Sequence, residues 1–380
     1  MKETKIGLIG AGWMGRAHTV AFHHAGMIFG DDLPVFEIIA DVYEEQVKEA
    51  AESLGYKRYT TDWRAVVTDP AVTLVDVATP NNMHFEMVKA ALENGKHVFC
   101  EKPLSLSGEE SQILAELAKE KGVVNYCGFS NLMNPANQYV KELVETGELG
   151  EIMRIHATYD QDMLLDPKLP LTWRHVNETA GSGALGDLCS HLLSVSQMIL
   201  GDIKEVIGID SVVVPERPIA GSDKTGKVEN DDIITFLVKY KNGVIGDFSS
   251  SRVATGRKNY FYYEIQGTKG TVVYDLERMC EVQVYFKQDA DKRKGRDSGF
   301  RTVLLNPEHK GYKYFQPAGG IAIGFDDMKV LQAHELMQAM AGGEYAANFA
   351  MAAKVDGVAS AVLKSLKSRT WEECCNCSWF

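Results

Sequence analysis

Short apolar runs alternate with amphipathic stretches along the first 125 residues. The runs are apolar almost throughout, as strands covered on both faces are, and each following stretch has apolar residues at helical spacing. Strands that alternate with helices predict βαβ units and a parallel sheet. The predicted strands are Lys5–Ile9, Val35–Ala40, 73–78, His97–Cys100 and 123–127, and the predicted helices are one ending near Gly26, then Glu44–Leu54, 84–94 and Gly108–Lys121.

The pattern changes after about residue 126, where most segments alternate apolar and polar positions. Strands with one face in water alternate in this way, so an antiparallel sheet is predicted. Lys241-Asn242-Gly243 favours a hairpin turn, and the charged stretch 289–297 is predicted as a loop. The predicted strands are 152–159, 205–214, 232–240, 244–251, 260–266, 271–275 and Glu281–Phe286, and the predicted helices are Pro135–Glu145, 185–200, 328–340 and 351–367.

Two domains follow from this change of pattern. Residues 1–125 are predicted to form a parallel α/β domain, and residues 126–380 an α+β domain with a mostly antiparallel open sheet. A chain of 380 residues is long enough for two hydrophobic cores.

Composition narrows the class of protein without changing this fold prediction. Hydrophobic residues make up 45% and charged residues 24% of the chain, which is typical of a globular enzyme. The formal net charge of −12 disfavours nucleic acid and anionic membrane surfaces as partners. Neither a secretory signal nor a run of about 18 uncharged apolar residues is found, so we expect a cytoplasmic protein without a membrane anchor.

The seven cysteines favour the same compartment, since four of them are scattered singly and do not suggest a disulfide framework. The other three are crowded together as Cys374, Cys375 and Cys377, which could bind a soft metal. Their spacing matches no closed zinc site and no histidine follows them, so a mobile tail is favoured. We predict no metal.

A glycine loop follows the first predicted strand and opens the first helix: Gly10, Gly12 and Gly15 form a G-x-G-x-x-G motif. In such a loop the first glycine permits a tight turn, the second lets a pyrophosphate approach the backbone, and the third allows helix–strand packing. The motif in this position predicts a dinucleotide-binding Rossmann domain. Turn glycines in a nucleotide-free domain are the alternative.

An acidic residue, Asp41, ends the second predicted strand. Its carboxylate can accept hydrogen bonds from an adenosine ribose and would repel a 2′-phosphate, which favours NAD over NADP as the cofactor. The alternative role for Asp41 is to cap the following helix.

Further motifs accompany the glycine loop, and together they resemble the Gfo/Idh/MocA oxidoreductases, which include glucose-fructose oxidoreductase and inositol dehydrogenase. Their order and spacing fit across essentially the whole chain. The family resemblance implies a Rossmann domain, an open-sheet α+β domain, bound NAD(P) and hydride transfer at a sugar carbon. The motifs are Thr79-Pro80-Asn81, Glu101-Lys102-Pro103 and the stretch 183–191 with Asp187 and His191.

Shorter segments resemble one branch of this family, the levoglucosan dehydrogenases and the gut-bacterial enzymes that oxidise C3 of glycosides such as puerarin. That branch acts on the C3 hydroxyl of a glucose-type ring. It tends to carry Asn, Tyr and Arg after the last Rossmann strand, where this chain reads Phe129-Ser130-Asn131-Leu132-Met133-Asn134. The smaller or apolar groups suggest room for a larger or more apolar aglycone. The resembling segments are 159–162, 171–174, 215–218 and 256–260.

Cofactor contacts are implied by the resemblance beyond the glycine loop and Asp41. Asn81 and Glu101 are expected to contact the nicotinamide ribose. Trp13 and Met14 are expected to cover the nicotinamide side, although core packing explains them equally well. Thr79, Pro80 and Lys102 complete the predicted cofactor site.

Oxidation of a secondary alcohol needs a base for the hydroxyl proton and a group that stabilises the developing alkoxide. Lys102 follows a parallel strand at its carboxyl end, where α/β sheets bind ligands, and can polarise the alcohol. Asp187 and His191 lie four apart on a predicted helix, so Asp187 can orient the imidazole as general base. The reverse assignment, with Lys102 as the base and His191 as the polarising group, stays open. A non-catalytic alternative also stays open, in which Lys102 is an ordinary loop lysine and His191 a core histidine.

Sugar recognition is expected from Trp173, whose ring can cover C–H groups, and from Arg174, which can donate to hydroxyls. Gln161 and Asn131 are further candidates, with Asp187 and His191 also in contact with substrate. Packing and a surface charge explain the first pair as well. The resemblance implies a small sugar or glycoside as substrate and a homodimer or homotetramer.

Two other functions are compatible with these motifs. An NAD-recycling glycosidase or lyase would pass through a transient 3-keto sugar, because oxidation at C3 acidifies the C2 proton. A non-enzymatic NAD-sensing protein would keep the glycine loop but would not need Lys102, Asp187 and His191.

Overall fold

In the computed structural model, which describes residues 3–30, 33–292, 295–296 and 298–374, the apolar N-terminal runs form a six-stranded parallel sheet. The strand order is 3-2-1-4-5-6, and all neighbouring pairs are parallel. This order reverses beside the first strand, which in such sheets leaves a ligand crevice at the carboxyl ends. The strands are β1 (Lys5–Ile9), β2 (Val35–Ala40), β3 (Arg58–Thr60), β4 (Leu74–Val77), β5 (His97–Cys100) and β6 (Asn125–Cys127).

The alternating segments form a nine-stranded sheet in the order 16-15-14-13-7-12-11-8-17, beside a separate two-stranded sheet. Every neighbouring pair in the large sheet is antiparallel except the seventh and twelfth strands. The strands are β7 (Ile152–Asp160), β8 (Ile203–Ser211), β9 (Glu216–Pro218), β10 (Thr225–Lys227), β11 (Ile233–Tyr240), β12 (Ile245–Ser251), β13 (Tyr260–Gly267), β14 (Gly270–Asp275), β15 (Glu281–Phe286), β16 (Arg301–Leu304) and β17 (Glu372–Glu373).

Eleven α-helices accompany these sheets in the described part of the chain, and none of them is long and apolar enough to cross a membrane. Ser107 caps the fifth helix, where its side chain accepts a hydrogen bond from the Glu110 amide. The helices are α1 (Trp13–Phe29), α2 (Glu44–Leu54), α3 (Arg64–Thr68), α4 (His84–Glu93), α5 (Gly108–Lys121), α6 (Pro135–Glu145), α7 (Asn177–Ala180), α8 (Ser190–Leu200), α9 (Lys287–Lys292), α10 (Phe325–Met340) and α11 (Phe349–Ser368).

The fold class predicted from the sequence is confirmed: a Rossmann sheet is followed by an α+β part with a mostly antiparallel sheet. One local prediction is wrong, because α9 occupies the beginning of the charged stretch that we predicted as a loop. Its sequence, KQDADK, consists mostly of residues with adequate helix propensity, but it has no apolar stripe to reveal a helix.

Contacts divide the chain into two compact units. Unit 1 contains the residues up to Met133 together with Phe325–Asp356, and unit 2 contains Asn134–Gly324 and the residues from Gly357 onward. The first boundary lies near the predicted one after residue 125. The return of Phe325–Asp356 to unit 1 differs from the predicted continuous second domain, and it rests on long-range packing: α10 packs against α1, where the Phe29 and His334 rings stack 3.7 Å apart.

Candidate functional site

The glycine loop of unit 1 leaves its middle residue open to a ligand. Gly10 has φ +104°, and a Cβ there would lie 2.5 Å from the Ala78 carbonyl oxygen. A Cβ on Gly15 would lie 2.1 Å from the Gly10 oxygen, whereas a Cβ on Gly12 would meet no atom within 4 Å. The loop therefore needs two glycines for its own packing and keeps open space at Gly12, at the N-terminus of α1. That arrangement fits the pyrophosphate of a dinucleotide.

Asp41 is tied to the same loop, since its Oδ2 accepts a hydrogen bond of 2.8 Å from the Ala11 amide. The alternative role as a helix cap is not what the structure shows, because Tyr43 occupies the N-cap position of α2 and no side chain caps that helix. Trp13 is 68% exposed and Met14 is half-buried, so neither is a core residue.

The loops after β4 and β5 are joined by His84 in unit 1. Its Nδ1 lies 2.8 Å from the Pro103 carbonyl oxygen and its Nε2 lies 2.9 Å from the Thr79 carbonyl oxygen. A neutral imidazole donates to one of these oxygens. The half-buried residues Pro80, Asn81 and Lys102 continue the two loops, and the peptide bond between Lys102 and Pro103 is cis. From its sequence context His84 was treated as an ordinary surface or core residue, and no motif indicated that it links both predicted cofactor loops.

Glu101 is held inside unit 1 by other residues of the chain. Its Oε1 accepts from His18 Nε2 at 3.0 Å, and its Oε2 accepts from the Lys102 backbone amide at 3.0 Å. Burial alone would raise the pKa of Glu101, but the hydrogen bond from His18 and the charge of Lys329 lower it overall. The expected contact between Glu101 and a ribose stays a prediction.

Asn131 lies in the short 3-10 turn Ser130–Met133 of unit 1 and is buried. Its neighbours Phe129, Leu132 and Met133 are buried too, because they belong to the core. The room for a larger or more apolar aglycone that the sequence suggests at this turn stays a prediction.

In unit 2, buried Asp231 fixes the start of the segment that carries Asp187 and His191. Its Oδ1 accepts from the Gly183 amide at 2.6 Å and its Oδ2 from the Leu185 amide at 2.9 Å. A Cβ on Gly183 would lie 1.8 Å from the Asp231 carbonyl oxygen, so only glycine fits there. Burial raises the pKa of Asp231 to about 6, although the two amides oppose the shift.

Asp187 lies in a π-helical turn, Leu185–Cys189, that leads directly into α8, where His191 is in the first turn. We predicted a regular α-helix here, and a π turn holds one more residue than an α turn. Both side chains are half-buried, and both lie near Tyr159. The Tyr159 and His191 rings are 6.1 Å apart, and burial together with the Asp187 charge raises the pKa of Tyr159.

Tyr159 was not among the predicted site residues, although its segment resembled the branch motif. Its hydroxyl donates to Asn259 Oδ1 at 2.7 Å, and Gln161 Nε2 donates to the same oxygen at 2.8 Å. The predicted substrate residue Gln161 therefore shares a hydrogen-bonded group with Tyr159, which in turn lies against His191.

Trp173 and Arg174 stand on a 3-10 turn of unit 2, with the Arg174 guanidinium 4.4 Å above the Trp173 ring. The Arg174 carbonyl oxygen accepts from Asn230 Nδ2 at 2.9 Å and from buried Arg252 at 3.3 Å. Fully buried Arg217, from the third segment that resembled the branch, donates to the carbonyl oxygens of residues 164 and 166. Asn230 and Arg252 therefore hold the backbone at Arg174, whereas Arg217 holds the chain at residues 164–166.

A metal centre is not found in the described part of the chain, which holds no group of three or more His, Cys, Asp or Glu side chains that could ligate an ion. Cys374 is buried, and its amide donates to the Lys204 carbonyl oxygen. Cys375 and Cys377, the other members of the predicted mobile tail, lie outside the described residues.

Comparison with known families decides the relationship. A model of an oxidoreductase family with an NAD-binding Rossmann fold matches residues 4–129, and a model of the GFO/IDH/MocA C-terminal domain matches residues 137–273. The chain belongs to the Gfo/Idh/MocA family. It is an oxidoreductase that uses NAD, and the family model for the NAD-binding domain covers the glycine loop and Asp41.

Relatives within this family cover nearly the whole chain. Levoglucosan dehydrogenase of Pseudarthrobacter phenanthrenivorans is 37% identical over 98% of this chain and 98% of the relative. A solved levoglucosan dehydrogenase in complex with NADH and levoglucosan is 36% identical, with a TM-score of 0.94 over 99% of this chain and 100% of that one. Myo-inositol 2-dehydrogenase of Thermotoga maritima is 31% identical over 73% of this chain and 77% of the relative.

Proposed function

We propose that this oxidoreductase is an NAD-dependent sugar dehydrogenase that oxidises C3 of a glucose-type sugar or glycoside to the 3-keto product. The family and the NAD-binding domain support the reaction class, and the relatives named for levoglucosan and myo-inositol support a cyclic polyol or sugar substrate. The C3 position and the glycoside rest on the sequence resemblance of segments 159–162, 171–174, 215–218 and 256–260.

One observation carries the assignment of the chemistry: each candidate catalytic residue stands half-buried on a backbone that a buried acid holds in place. Glu101 binds the amide of Lys102, and Asp231 binds the two amides that start the segment of Asp187 and His191. A catalytic group is effective when its supporting backbone keeps it in one orientation.

We assign His191 as the general base for the hydroxyl proton and Lys102 as the group that polarises the hydroxyl oxygen. Asp187 orients His191 or binds a sugar hydroxyl. Bound NAD⁺ supplies the hydride acceptor. The imidazole suits proton transfer near neutral pH, and the ammonium stabilises developing negative charge on oxygen. The reverse assignment gives the same products and is separated from this one only by the pH dependence of the two variants.

Cofactor binding is assigned to unit 1 and sugar recognition mainly to unit 2. Gly10, Gly12, Gly15 and the N-terminus of α1 would hold the pyrophosphate, and Asp41 the adenosine ribose. Thr79, Pro80, Asn81, Glu101, Lys102, Trp13 and Met14 would surround the nicotinamide half. Gln161, Trp173, Arg174 and Asn131 would contact the sugar.

We further propose a homodimer or homotetramer that works in the cytoplasm without nucleic-acid or membrane partners. The open face of the nine-stranded sheet supports self-association, because Ile209, Leu237 and Ile245 are 63%, 49% and 54% exposed there. No disulfide joins the cysteines that the structure describes, which agrees with a reducing compartment.

The decisive experiment is NADH formation from NAD⁺ with glucose, levoglucosan, inositol and O- and C-glucosides. We expect NADH with at least one glucose-type compound, and a loss of kcat/KM of about 100-fold or more in Lys102→Ala and in His191→Ala. Lys48→Ala and His24→Asn alter an exposed lysine and an exposed histidine and serve as controls, which should stay near the wild type.

Two results would contradict the proposal. If aglycone is released while no net NADH accumulates, the enzyme is a recycling glycosidase. If both catalytic variants retain wild-type activity on the sugar that is oxidised, the assigned residues are not catalytic.

A further inference from the structure

Unit 1 contains a buried cluster of four ionisable side chains, of which only Glu101 has a place in the cofactor site proposed above. They are His18 from α1, Asp76 from β4, Glu101 after β5 and Lys329 from α10, with exposed fractions of 1%, 1%, 7% and 3%. His18 is the centre: its Nδ1 lies 3.0 Å from Asp76 Oδ1 and its Nε2 lies 3.0 Å from Glu101 Oε1. Lys329 Nζ lies 3.9 Å from the same Glu101 oxygen.

The charges of the cluster are matched. Burial alone would lower the pKa of His18, but the charges and hydrogen bonds of Asp76 and Glu101 raise it to about 9. Burial also raises the pKa of Asp76, with His18 opposing it. The raised pKa of His18 favours its imidazolium form between two acids, whereas burial lowers the pKa of Lys329 and the charge of Glu101 opposes that shift.

Stability alone does not explain such a cluster. Burying an ion costs several kcal/mol, and well-packed apolar side chains in place of a buried ion pair are often as stable or more stable. Buried ion pairs do fix one geometry, since every partner must stay in place to avoid an uncompensated charge.

The geometry that is fixed here includes the backbone of the catalytic lysine. Glu101 Oε1 is engaged by His18 and Lys329, which leaves Oε2 to accept from the Lys102 amide at 3.0 Å. The other side of the carboxylate is closed by Gly128, where a Cβ would lie 2.9 Å from the Glu101 carboxyl group. The carboxylate thus has one orientation, and the Lys102 amide is bound by it.

We propose that His18 and Lys329 are positioning residues that act through Glu101 to hold the backbone of Lys102. Lys329 lies more than 220 residues after Lys102 in the sequence. The C-terminal segment of unit 1 therefore supplies an ammonium group that holds Glu101 beside the Lys102 loop. Neither residue contacts substrate in this proposal. The effect on turnover rests on the function proposed above, whereas the effect on the loop backbone does not.

The test uses the full-length chain with Lys329→Met, Lys329→Arg and His18→Gln. Lys96→Met is the matched control, because Lys96 is another buried lysine of unit 1 whose ammonium donates to the carbonyl oxygens of Asp69 and Val72, away from Glu101. Hydrogen–deuterium exchange of the peptide over residues 100–105 reports on the Lys102 amide without any substrate.

We expect exchange of that peptide to rise by about 10-fold in Lys329→Met and in His18→Gln, with little change in the peptides of β1 and β2. Lys96→Met should leave residues 100–105 unchanged. With the sugar that the enzyme oxidises, kcat should fall by about 10-fold or more while KM for the sugar stays within about 3-fold, and Lys329→Arg should restore most of the loss.

Unchanged exchange at residues 100–105 in Lys329→Met would overturn the proposal. A loss of kcat in Lys96→Met equal to that in Lys329→Met would overturn it too, because general destabilisation would then explain both. If Lys329→Met does not fold, His18→Gln decides by the same two measurements. If no sugar is oxidised by the wild type, the proposed function fails while the exchange result still decides this inference.

Discussion

In the proposed cofactor site, Asp41 combines two roles in one carboxylate. Its Oδ2 accepts the hydrogen bond from the Ala11 amide and so holds the glycine loop, while its negative charge disfavours the 2′-phosphate of NADP. A sequence motif predicts only the second role. Substitutions can separate them, because an amide oxygen still accepts a hydrogen bond but carries no charge.

We therefore expect Asp41→Asn to bind NADH within about 5-fold of the wild type and to gain about 10-fold or more in kcat/KM with NADP⁺. Asp41→Ala should lose affinity for NADH as well, because the Ala11 amide then loses its acceptor. NADH fluorescence titration and kinetics with both cofactors measure this. Equal behaviour of the two variants would show that the hydrogen bond to Ala11 is unimportant.

The residues that could be predicted from the sequence belong to local motifs, whereas the residues that were missed depend on contacts with distant parts of the chain. Gly10, Gly12 and Gly15 were predictable because a short motif forces one backbone path. His18 and Lys329 were not, because a histidine or lysine in an amphipathic helix gives no sign of whether it is buried. Their burial depends on Asp76 and Glu101, which come from distant parts of the sequence.

Among the elements, the loop after Lys102 is anchored by α11. Asp356 Oδ2 accepts from the Leu104 and Ser105 amides at 3.1 and 3.4 Å and from the Ser111 hydroxyl at 2.6 Å, all within unit 1. Burial raises the pKa of Asp356 from 3.8 to about 7, because these donors do not fully offset desolvation of the carboxylate.

This raised pKa predicts the direction in which stability changes with pH. The folded state binds the Asp356 proton more tightly than the unfolded state, so the stabilising contribution is fully present below pH 3.8 and is lost as the pH rises through about 7. Asp356→Asn keeps an oxygen acceptor but does not titrate. We expect the free energy of unfolding of the wild type, relative to this variant, to fall between about pH 4 and pH 7 in denaturant titrations and to be level above that range. A constant difference would show that Asp356 stays ionised.

Elements were predictable from the sequence where their pattern extended over a full period. The bounds of β1, β2, α2, β5 and α5 match the predicted ones, since their apolar runs end at glycines or polar turns. Short elements such as β3 and α3 were missed because three to five residues are too few to show whether apolar positions recur at helix or strand spacing. The π turn before α8 was missed because its sequence has ordinary helical spacing, and the Asp231 carboxylate that binds the start of this segment comes from another part of the chain.

On the scale of the whole molecule, the open face of the nine-stranded sheet should join copies of the chain. Leu237 lies opposite Ile207, and Ile245 lies one strand further, so the exposed apolar side chains form one patch. We expect light scattering to show a dimer or tetramer for the wild type and a smaller species for the double variant Leu237→Glu with Ile245→Glu, because buried carboxylates would oppose association. Met27→Glu adds the same charge to an exposed residue of α1 and should change nothing. A monomeric wild type would refute the expected assembly.

The discontinuity of unit 1 also affects how a ribosome can produce it. When the first 133 residues have emerged, the six strands are complete, but Lys329 and Asp356 have not yet been translated. Glu101 and the loop after Lys102 then lack partners, and the face of α1 that α10 will cover is still bare. The packing of unit 1 can therefore be completed only after residue 356 has been synthesised. Folding of unit 1 then finishes late in translation and does not precede synthesis of unit 2.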